Sequence, residues 1–284
     1  MISNLIKTVL ILSLYCFYLE GNENTISKKG TYDFGGVREF YTAGRKAYPN
    51  EAFEHLKTYA QEDANVLDLG AGTGISTRQL YDHGFKHLIG CDKDSLMIKE
   101  AILAGGKQYS IPYIQGNIES GLTFPTETFD LITAFTCFHY FQTDVAMEEI
   151  KRILKPNGLL FTILKESKKD KPTFRDQVKQ IADKVMGKPI PKVNDGLESP
   201  IVLLKKHHFE ILENISIPFT EYYTVEEAIL ETQSRGWWTT IKDDPKKDQI
   251  LSEIIKFLQS IANDQGLITY EGVAPMIIAR KQEP

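Results

Sequence analysis

Val66-Leu-Asp-Leu-Gly-Ala-Gly-Thr-Gly74 decides the fold. An apolar strand runs straight into a Gly-x-Gly-x-Gly turn, and Ile75–Asp82 beyond it reads as a helix. A backbone that bends this sharply needs residues without a Cβ, and the same glycines let a ligand approach the main chain closely. Outward from this turn, strand and helix signals alternate. Strands are predicted at Asn65–Leu69, His87–Cys91, Tyr113–Gln115, Phe129–Phe135 and Leu159–Leu164, with helices at Ile75–Asp82, Leu96–Ala104 and Val145–Leu154. Asp144 is placed to cap the last of these helices, and Asn157-Gly158 to close the turn after it. Strands separated by helices make an α/β fold: a Rossmann-like, doubly wound, mainly parallel sheet, expected to have seven strands.

Past Leu164 the alternation weakens. Lys165–Lys171 is a charged stretch that reads as solvated surface. Ser199-Pro200 has the form of an N-cap and first helical residue for Ile201–His207, with His207 and His208 expected at its exposed end. Glu210–Ile217 and Ala274–Arg280 read as the last strands, Thr224-Val-Glu-Glu227 as a capping box for a helix through Thr232, and Lys246–Ile261 as an amphipathic helix. The expected organisation is an apolar segment and linker at 1–30 and a catalytic domain at 31–284. Its core is about 61–164 plus the final strands, and 31–60 with 165–266 form a lid over the carboxyl ends of the strands.

Composition narrows the function. The chain has 284 residues, 42% hydrophobic and 25% charged, the balance of a globular protein. A net charge of −5 provides no basic field for a nucleic-acid backbone, so the expected partner is a small molecule rather than nucleic acid. Cys16, Cys91 and Cys137 are widely spaced with no Cys-x-x-Cys pair, so neither a disulfide framework nor a metal site is expected.

The charge of Asp68, inside the glycine motif, bears on the ligand. A pyrophosphate beside a carboxylate is a poor match, and Ile75 stands where the dinucleotide fingerprint has Gly or Ala. S-adenosylmethionine carries an ammonium and a sulfonium, which a carboxylate suits; the alternative role for Asp68 is that of a structural cap. Asp92 follows the second strand, 22 residues after Gly70, where a carboxylate can accept from both ribose hydroxyls. Asp94-Ser95 looks instead like the cap of the next helix. After the third strand, Asn117 can bond an adenine edge and Ile118 can cover the ring. Beyond the fourth strand, His139 in Cys137-Phe-His-Tyr-Phe141 is the candidate general base, set against a purely structural role. Trp237 and Trp238 either line a substrate pocket or pack the cap.

In these residues the sequence resembles the class I S-adenosylmethionine-dependent methyltransferases. Asp68-Leu-Gly-Ala-Gly-Thr-Gly74 matches their first motif, Asp92 their ribose acid, and Gly116-Asn117-Ile118 stands where they usually have Gly-Asp-Ala. Phe129–Ala134 matches their fourth strand, and Glu149–Gly158 their helix-to-strand turn before strand five. The resemblance implies cofactor contacts from Asp68, Gly70, Ala71, Gly72, Gly74, Asp92, Lys93, Asn117, Ile118 and Ala134. Tyr41-Thr-Ala-Gly-Arg-Lys-Ala-Tyr-Pro49 and Ser234-Arg-Gly-Trp-Trp238 resemble the leading and late cap segments of small-molecule enzymes of the trans-aconitate type (methyltransferase type 11). That match implies that Tyr41 and Arg45 close over the cofactor, with Arg45 on its methionine carboxylate. The expected function is methyl transfer to a small-molecule oxygen, carboxylate or hydroxyl, by a monomer or homodimer. A nicotinamide-dependent dehydrogenase and a non-catalytic nucleoside-binding protein are the alternatives.

The first residues pull another way. Lys7 followed by apolar Val9–Leu19 has the form of a secretory signal, though without a small-residue cleavage site, and the run is too short to span a membrane. Because S-adenosylmethionine is kept inside cells, the expected location is cytoplasmic, with membrane association or export as the other readings of that run.

Overall fold

The computed structural model of the protein describes residues 32–191 and 199–282. The apolar run Val9–Leu19 and its linker lie outside the described residues. At the centre is β1 (Asn65–Leu69), whose last four residues are buried, as a strand covered on both faces by helices requires. It pairs in parallel with β2 (His87–Asp92) on one side and β4 (Phe129–Phe135) on the other. From β2 the sheet continues outward to β3 (Tyr113–Gln115), and from β4 to β5 (Leu154–Ile163). Successive connections therefore run in opposite directions from the β1/β4 boundary. Their loops diverge above the carboxyl ends of these two strands and leave a crevice there.

The connecting helices α3 (Ile75–Asp82), α4 (Ser95–Gly105) and α5 (Asp144–Ile153) fall within one residue of the predicted ones. The cap of α5 differs. Thr143, not Asp144, is the N-cap, its hydroxyl accepting from Ala146 N at 3.2 Å, while Asp144 is the first helical residue. There its charge still favours the positive helix end. The turn at Asn157 has φ +59°, and the strand begins before it: Leu154 already pairs with Phe129, and the chain bulges before rejoining at Leu159 opposite Leu131.

Among the described residues the sheet has eight strands rather than the expected seven. A two-residue strand β6 (Glu166–Ser167) pairs with the same strand as β5, since the chain leaving β5 keeps to that strand's edge. The last two strands are far longer than predicted: β7 (Phe209–Thr224) and β8 (Leu267–Lys281) pair antiparallel from Phe209–Lys281 to Thr224–Leu267. Their outer halves leave the main sheet for a second apolar core, where Tyr223 and Tyr270 are buried. Pro218 is tolerated because β7 is an edge strand, paired only with β8.

Before the sheet come α1 (Arg38–Gly44) and α2 (Asn50–Lys57). Phe53 and Leu56 of α2 join Leu80, Phe135 and Phe161 in the main core against the sheet. The cap is built from α6 (Phe174–Met186), α8 (Val225–Gln233), α9 (Gly236–Thr239) and α10 (Lys247–Ile261), while α7 (Pro200–Lys206) packs against β7 beside the main sheet. The predicted capping box is present: Thr224 accepts from Glu227 N at 3.1 Å, and the Glu227 carboxylate accepts from Thr224 N at 3.0 Å. Phe174, Val178, Trp237, Trp238, Ile250 and Ile254 form the second core, so both tryptophans pack the cap. His207 is not an exposed helix end. It is buried, with its ring nitrogens 2.8 Å from Asp144 and 3.0 Å from Glu148.

Candidate active site

The glycine turn sits at the carboxyl end of β1, on the crevice. Gly70 and Gly72 are left-handed, with φ of +71° and +55°, a region that disfavours side chains. A Cβ on Gly70 would stand 2.6 Å from Cys137 Sγ, which is packed over the turn and donates to Leu69 O at 3.0 Å. A Cβ on Gly72 would meet only Met97 Cε, at 3.4 Å, so the space beside this residue is open. The turn is fastened to β2: Gly70 N and Ala71 N donate to Cys91 O at 2.8 and 2.9 Å, and Gly72 N donates to Asp92 Oδ2 at 2.8 Å.

Asp92 is thereby oriented. Its Oδ1 accepts from Asp94 N at 2.9 Å, so each oxygen spends one lone pair on the backbone and keeps another for a ligand hydroxyl. Burial pushes its carboxyl above the ordinary aspartate value, partly offset by these two backbone donors. Asp94 has the other role the sequence suggested. Its side chain caps α4 through Leu96 N and Met97 N, and also accepts from Gly35 N at 3.0 Å, tying the leading segment to the sheet.

Two residues of the resemblance-based set are completely buried in the main sheet. Asp68 is completely buried; Ser76 and Thr77 donate to its Oδ2 at 2.8 and 2.7 Å, and Thr133 to its Oδ1 at 2.8 Å. Burial lifts its carboxyl to about 6, against these hydroxyls, which lower it. It braces the turn against α3 and β4, the structural role, and has no surface left to offer a sulfonium. Ala134 is likewise fully buried within β4, because the strand runs one residue further before the chain turns at Thr136. Lys93 is exposed beside Asp92, Asn117 is exposed with its carbonyl accepting from Glu119 N at 3.1 Å, and Ile118 is buried under that turn. Gly74 ends the turn as the N-cap of α3.

From Gly70, Ala71, Ile75 and Ser76 the crevice extends beneath the cap, walled by Tyr41, Arg45, Tyr48, Thr136, Lys165 and Arg175. Arg45 lies over the Tyr41 ring at 4.9 Å and donates to Ser234 Oγ and O at 2.8 and 3.1 Å. This joins the leading segment to the late cap segment that the sequence had singled out. Tyr48 donates to Thr136 Oγ1 at 2.9 Å, and burial raises the Tyr48 hydroxyl well above its usual range. Thr136 has φ +54°, strain of the kind held in place where a site needs it.

Lys165 and Arg175 escaped the sequence reading. Lys165 is no solvated surface charge: its ammonium donates to Lys46 O and Ala47 O at 3.2 and 3.0 Å and to Glu221. Burial lowers its ammonium to about 8, with Arg175 and Arg45 acting in the same direction and Glu221 opposing. Arg175 Nη2 donates to Tyr223 OH at 2.8 Å and Glu221 Oε2 at 3.2 Å, its Nε lies 2.9 Å from Glu231, and its guanidinium is 3.5 Å from the Tyr270 ring centre. Fully buried Glu231 would be raised by desolvation, but Arg175, Arg235 and Arg45 outweigh this and hold it down to about 2.

His139 is elsewhere. It lies in the 3-10 turn Phe138–Tyr140, tilted against the Tyr140 ring at 4.0 Å, and is not among the residues walling the crevice. Burial lowers its imidazole to about 4, making it a feeble proton acceptor.

A glycine turn at the switch point of a doubly wound sheet, with an acid ending the neighbouring strand, places the protein among the Rossmann-like cofactor-binding proteins. Comparison with known proteins goes further. Residues 67–162 match the methyltransferase domain family. An uncharacterized methyltransferase of Schizosaccharomyces pombe is 25% identical over 229 residues, covering 78% of this chain and 87% of the relative. The ubiquinone/menaquinone biosynthesis C-methyltransferase UbiE of Shewanella oneidensis is 32% identical over 163 residues, 52% of this chain and 62% of that protein. Among solved structures, a type II methyltransferase candidate from Anaeromyxobacter dehalogenans superposes with a TM-score of 0.59 at 18% identity, covering 84% of this chain and 97% of that one, a likeness of fold. These matches support a class I S-adenosylmethionine-dependent methyltransferase, an enzyme of that kind. Among the described residues no helix is long and apolar enough to cross a membrane.

Proposed function

We propose that the protein transfers a methyl group from S-adenosylmethionine to an oxygen, carboxylate or hydroxyl, of a small molecule. The observation that carries this reading is that Gly70 and Ala71 of the glycine turn line the same cavity as Arg45, Tyr48 and Thr136, while the next glycine, Gly72, is bonded to the Asp92 carboxylate. The residues fit the cofactor. Asp92 has lone pairs for both ribose hydroxyls, Gly72 admits close approach to the backbone, and Arg45 keeps Nη1 for a carboxylate, since its hydrogen bonds among the described residues engage only Nε and Nη2.

S-adenosylmethionine supplies, when bound, an electrophilic methyl on a sulfonium whose leaving group is neutral. Residues of this chain then need chiefly to align and to exclude water. The leading segment does the excluding: it is held by Gly35 N on Asp94, by Arg45 on Ser234 and by Lys46 on Glu227. Tyr48 and Thr136 wall the acceptor side, where hydroxyls can orient an oxygen nucleophile. A carboxylate acceptor needs no base, and His139, with its lowered imidazole away from the crevice wall, serves the turn rather than the reaction. The proposed setting is the cytoplasm, where the cofactor is made. The domain is proposed to begin near residue 31, with the cap formed by the segment before α2 and by α6 and α8–α10, since Phe53 and Leu56 of α2 belong to the main core.

Calorimetry with S-adenosylhomocysteine and with NAD tests the cofactor, and turnover of labelled S-adenosylmethionine across small carboxylic acids and phenols tests the acceptor. Binding of NAD in preference to S-adenosylhomocysteine would overturn the reading. Cofactor binding without turnover of any acid or phenol would overturn the choice of oxygen.

A further inference from the structure

The helix capped by Asp94 presents an apolar face on each side. Met97, Ile98 and Ala101 of α4 are buried against β2 and β3, as an amphipathic helix requires. The opposite side is not polar. Leu96, Ile102 and Leu103 are 39, 55 and 74% exposed, three of the eight large apolar side chains left exposed among the described residues. Leu96, Lys99 and Leu103, at i, i+3 and i+7, share one stripe along the helix, and Ile102 borders it. A single exposed apolar side chain needs no explanation, but several on one helix mark a contact surface.

The stripe has a basic rim. Lys93, Lys99 and Lys107 are exposed and form no salt bridge among the described residues. Nearby carboxylates are fewer or already engaged. Glu100 stands half-buried at the edge of the stripe. Asp94 is spent on Gly35 N, Leu96 N and Met97 N, Asp92 accepts from Gly72 N and Asp94 N, and Asp82 accepts from the Tyr109 hydroxyl. Lysines around leucine and isoleucine complement a surface that is anionic above and apolar beneath. A second copy of this chain, packed face to face, would instead set these lysines against one another.

We propose that the outer face of α4 docks on an anionic lipid surface. Leu96, Ile102 and Leu103 enter the boundary between headgroups and acyl chains, while Lys93, Lys99 and Lys107 meet the lipid phosphates and carboxylates. Lys99 lays its methylene stem along the leucines and lifts its ammonium to the headgroups. The chain's overall charge of −5 makes the contact depend on this face rather than on the whole molecule. Docking there sets the leading segment, tied to Asp94 through Gly35, beside the lipid.

The test is co-sedimentation of the full chain with vesicles of phosphatidylcholine alone and of phosphatidylcholine mixed with phosphatidylserine. Partition onto the mixed vesicles is expected to be about tenfold higher and to fall as salt is added. Two double variants, Ile102→Asp with Leu103→Asp and Lys99→Glu with Lys107→Glu, are each expected to lower that partition at least tenfold. Their circular dichroism and S-adenosylhomocysteine affinity should match wild type, because all four side chains are exposed. Equal partition onto both vesicles, or none, would overturn the proposal. So would undiminished binding by both variants, which would place the contact elsewhere, the Val9–Leu19 run included. Self-association that disappears in the Ile102→Asp, Leu103→Asp variant would overturn it too, making a second copy the occupant. The wild-type arms and the lysine variant decide the matter even if the apolar variant does not fold.

Discussion

Replacing Asp92 by Ala should damage cofactor binding and the glycine turn together, in separable amounts. In binding, the loss is that of ligand hydroxyls on a carboxylate, about 1.5–3 kcal/mol, or roughly ten- to hundredfold in Kd. In stability, Gly72 N and Asp94 N lose their acceptors at 2.8 and 2.9 Å, and two donors at a partly buried turn should cost about 1–3 kcal/mol. Asp94→Ala is the control: it removes the cap on Leu96 N and Met97 N, worth about 1 kcal/mol, and loosens Gly35, but touches no ligand. The assay is calorimetric titration with S-adenosylhomocysteine beside urea unfolding of the same preparations. Burial raises the Asp92 carboxyl, and only the ionised form accepts two hydroxyls, so wild-type affinity should fall on acidification at a higher pH than an ordinary aspartate would give. An Asp92→Ala protein that binds within twofold of wild type, or an Asp94→Ala protein with the larger affinity loss, would refute the reasoning.

Gly72→Asp should abolish cofactor binding in a protein that still folds, as circular dichroism would check, because the new carboxylate enters open space beside Asp92. Gly70→Val is the poorer probe, since its Cβ would stand 2.6 Å from Cys137 Sγ and should cost the fold itself. His139→Phe should leave turnover within a few-fold, and a thousandfold loss would restore His139 as the base. Its imidazole, lowered from 6.5 to about 4, gives stability that is complete above pH 6.5 and is lost as pH falls toward 4. The variant should therefore lack about 3 kcal/mol of acid destabilisation, measurable by urea unfolding at pH 4 and 7. Removing Met1–Asn24 should leave S-adenosylhomocysteine affinity unchanged, because the turn and the ribose acid lie well beyond it; a tenfold loss would show that the apolar run serves the site.

The parts of the fold that could be read in advance are those whose physics is local. The strand before Gly70, the glycines, the cap at Asp94 and the capping box at Thr224 all declare themselves within a few residues. The central strands and their helices accordingly match the sequence reading closely. The outer halves of β7 and β8 were not legible. Glu221–Tyr223 and Thr269–Glu271 are polar and aromatic, and they become strand only because they pair with each other above the sheet. Asp144 was misplaced by one residue because Thr143 and Asp144 are both good caps, and only the backbone geometry distinguishes them.

The site divides along the same line. Asp92 and Gly72 were named from spacing, and the structure brings them to one hydrogen bond. Arg175 carries no local mark, since it follows Thr173-Phe174 at the start of an ordinary amphipathic helix. Its meaning comes from partners at 221, 223, 231 and 270, all far away in sequence. Lys165 was set aside because its neighbours Lys168, Lys169 and Lys171 are the usual composition of a surface loop. What separates it from them is that it lies two residues past the end of β5, at the carboxyl end of a central strand, where Pro275 O holds its neighbour Leu164 N at 3.0 Å. A cation at that position can be buried only if a carboxylate comes to meet it, and Glu221 does so because β7 overruns the sheet. The length of the last two strands, the least legible feature of the fold, is therefore what brings Glu221 and Tyr223 to Lys165 and Arg175 at the crevice.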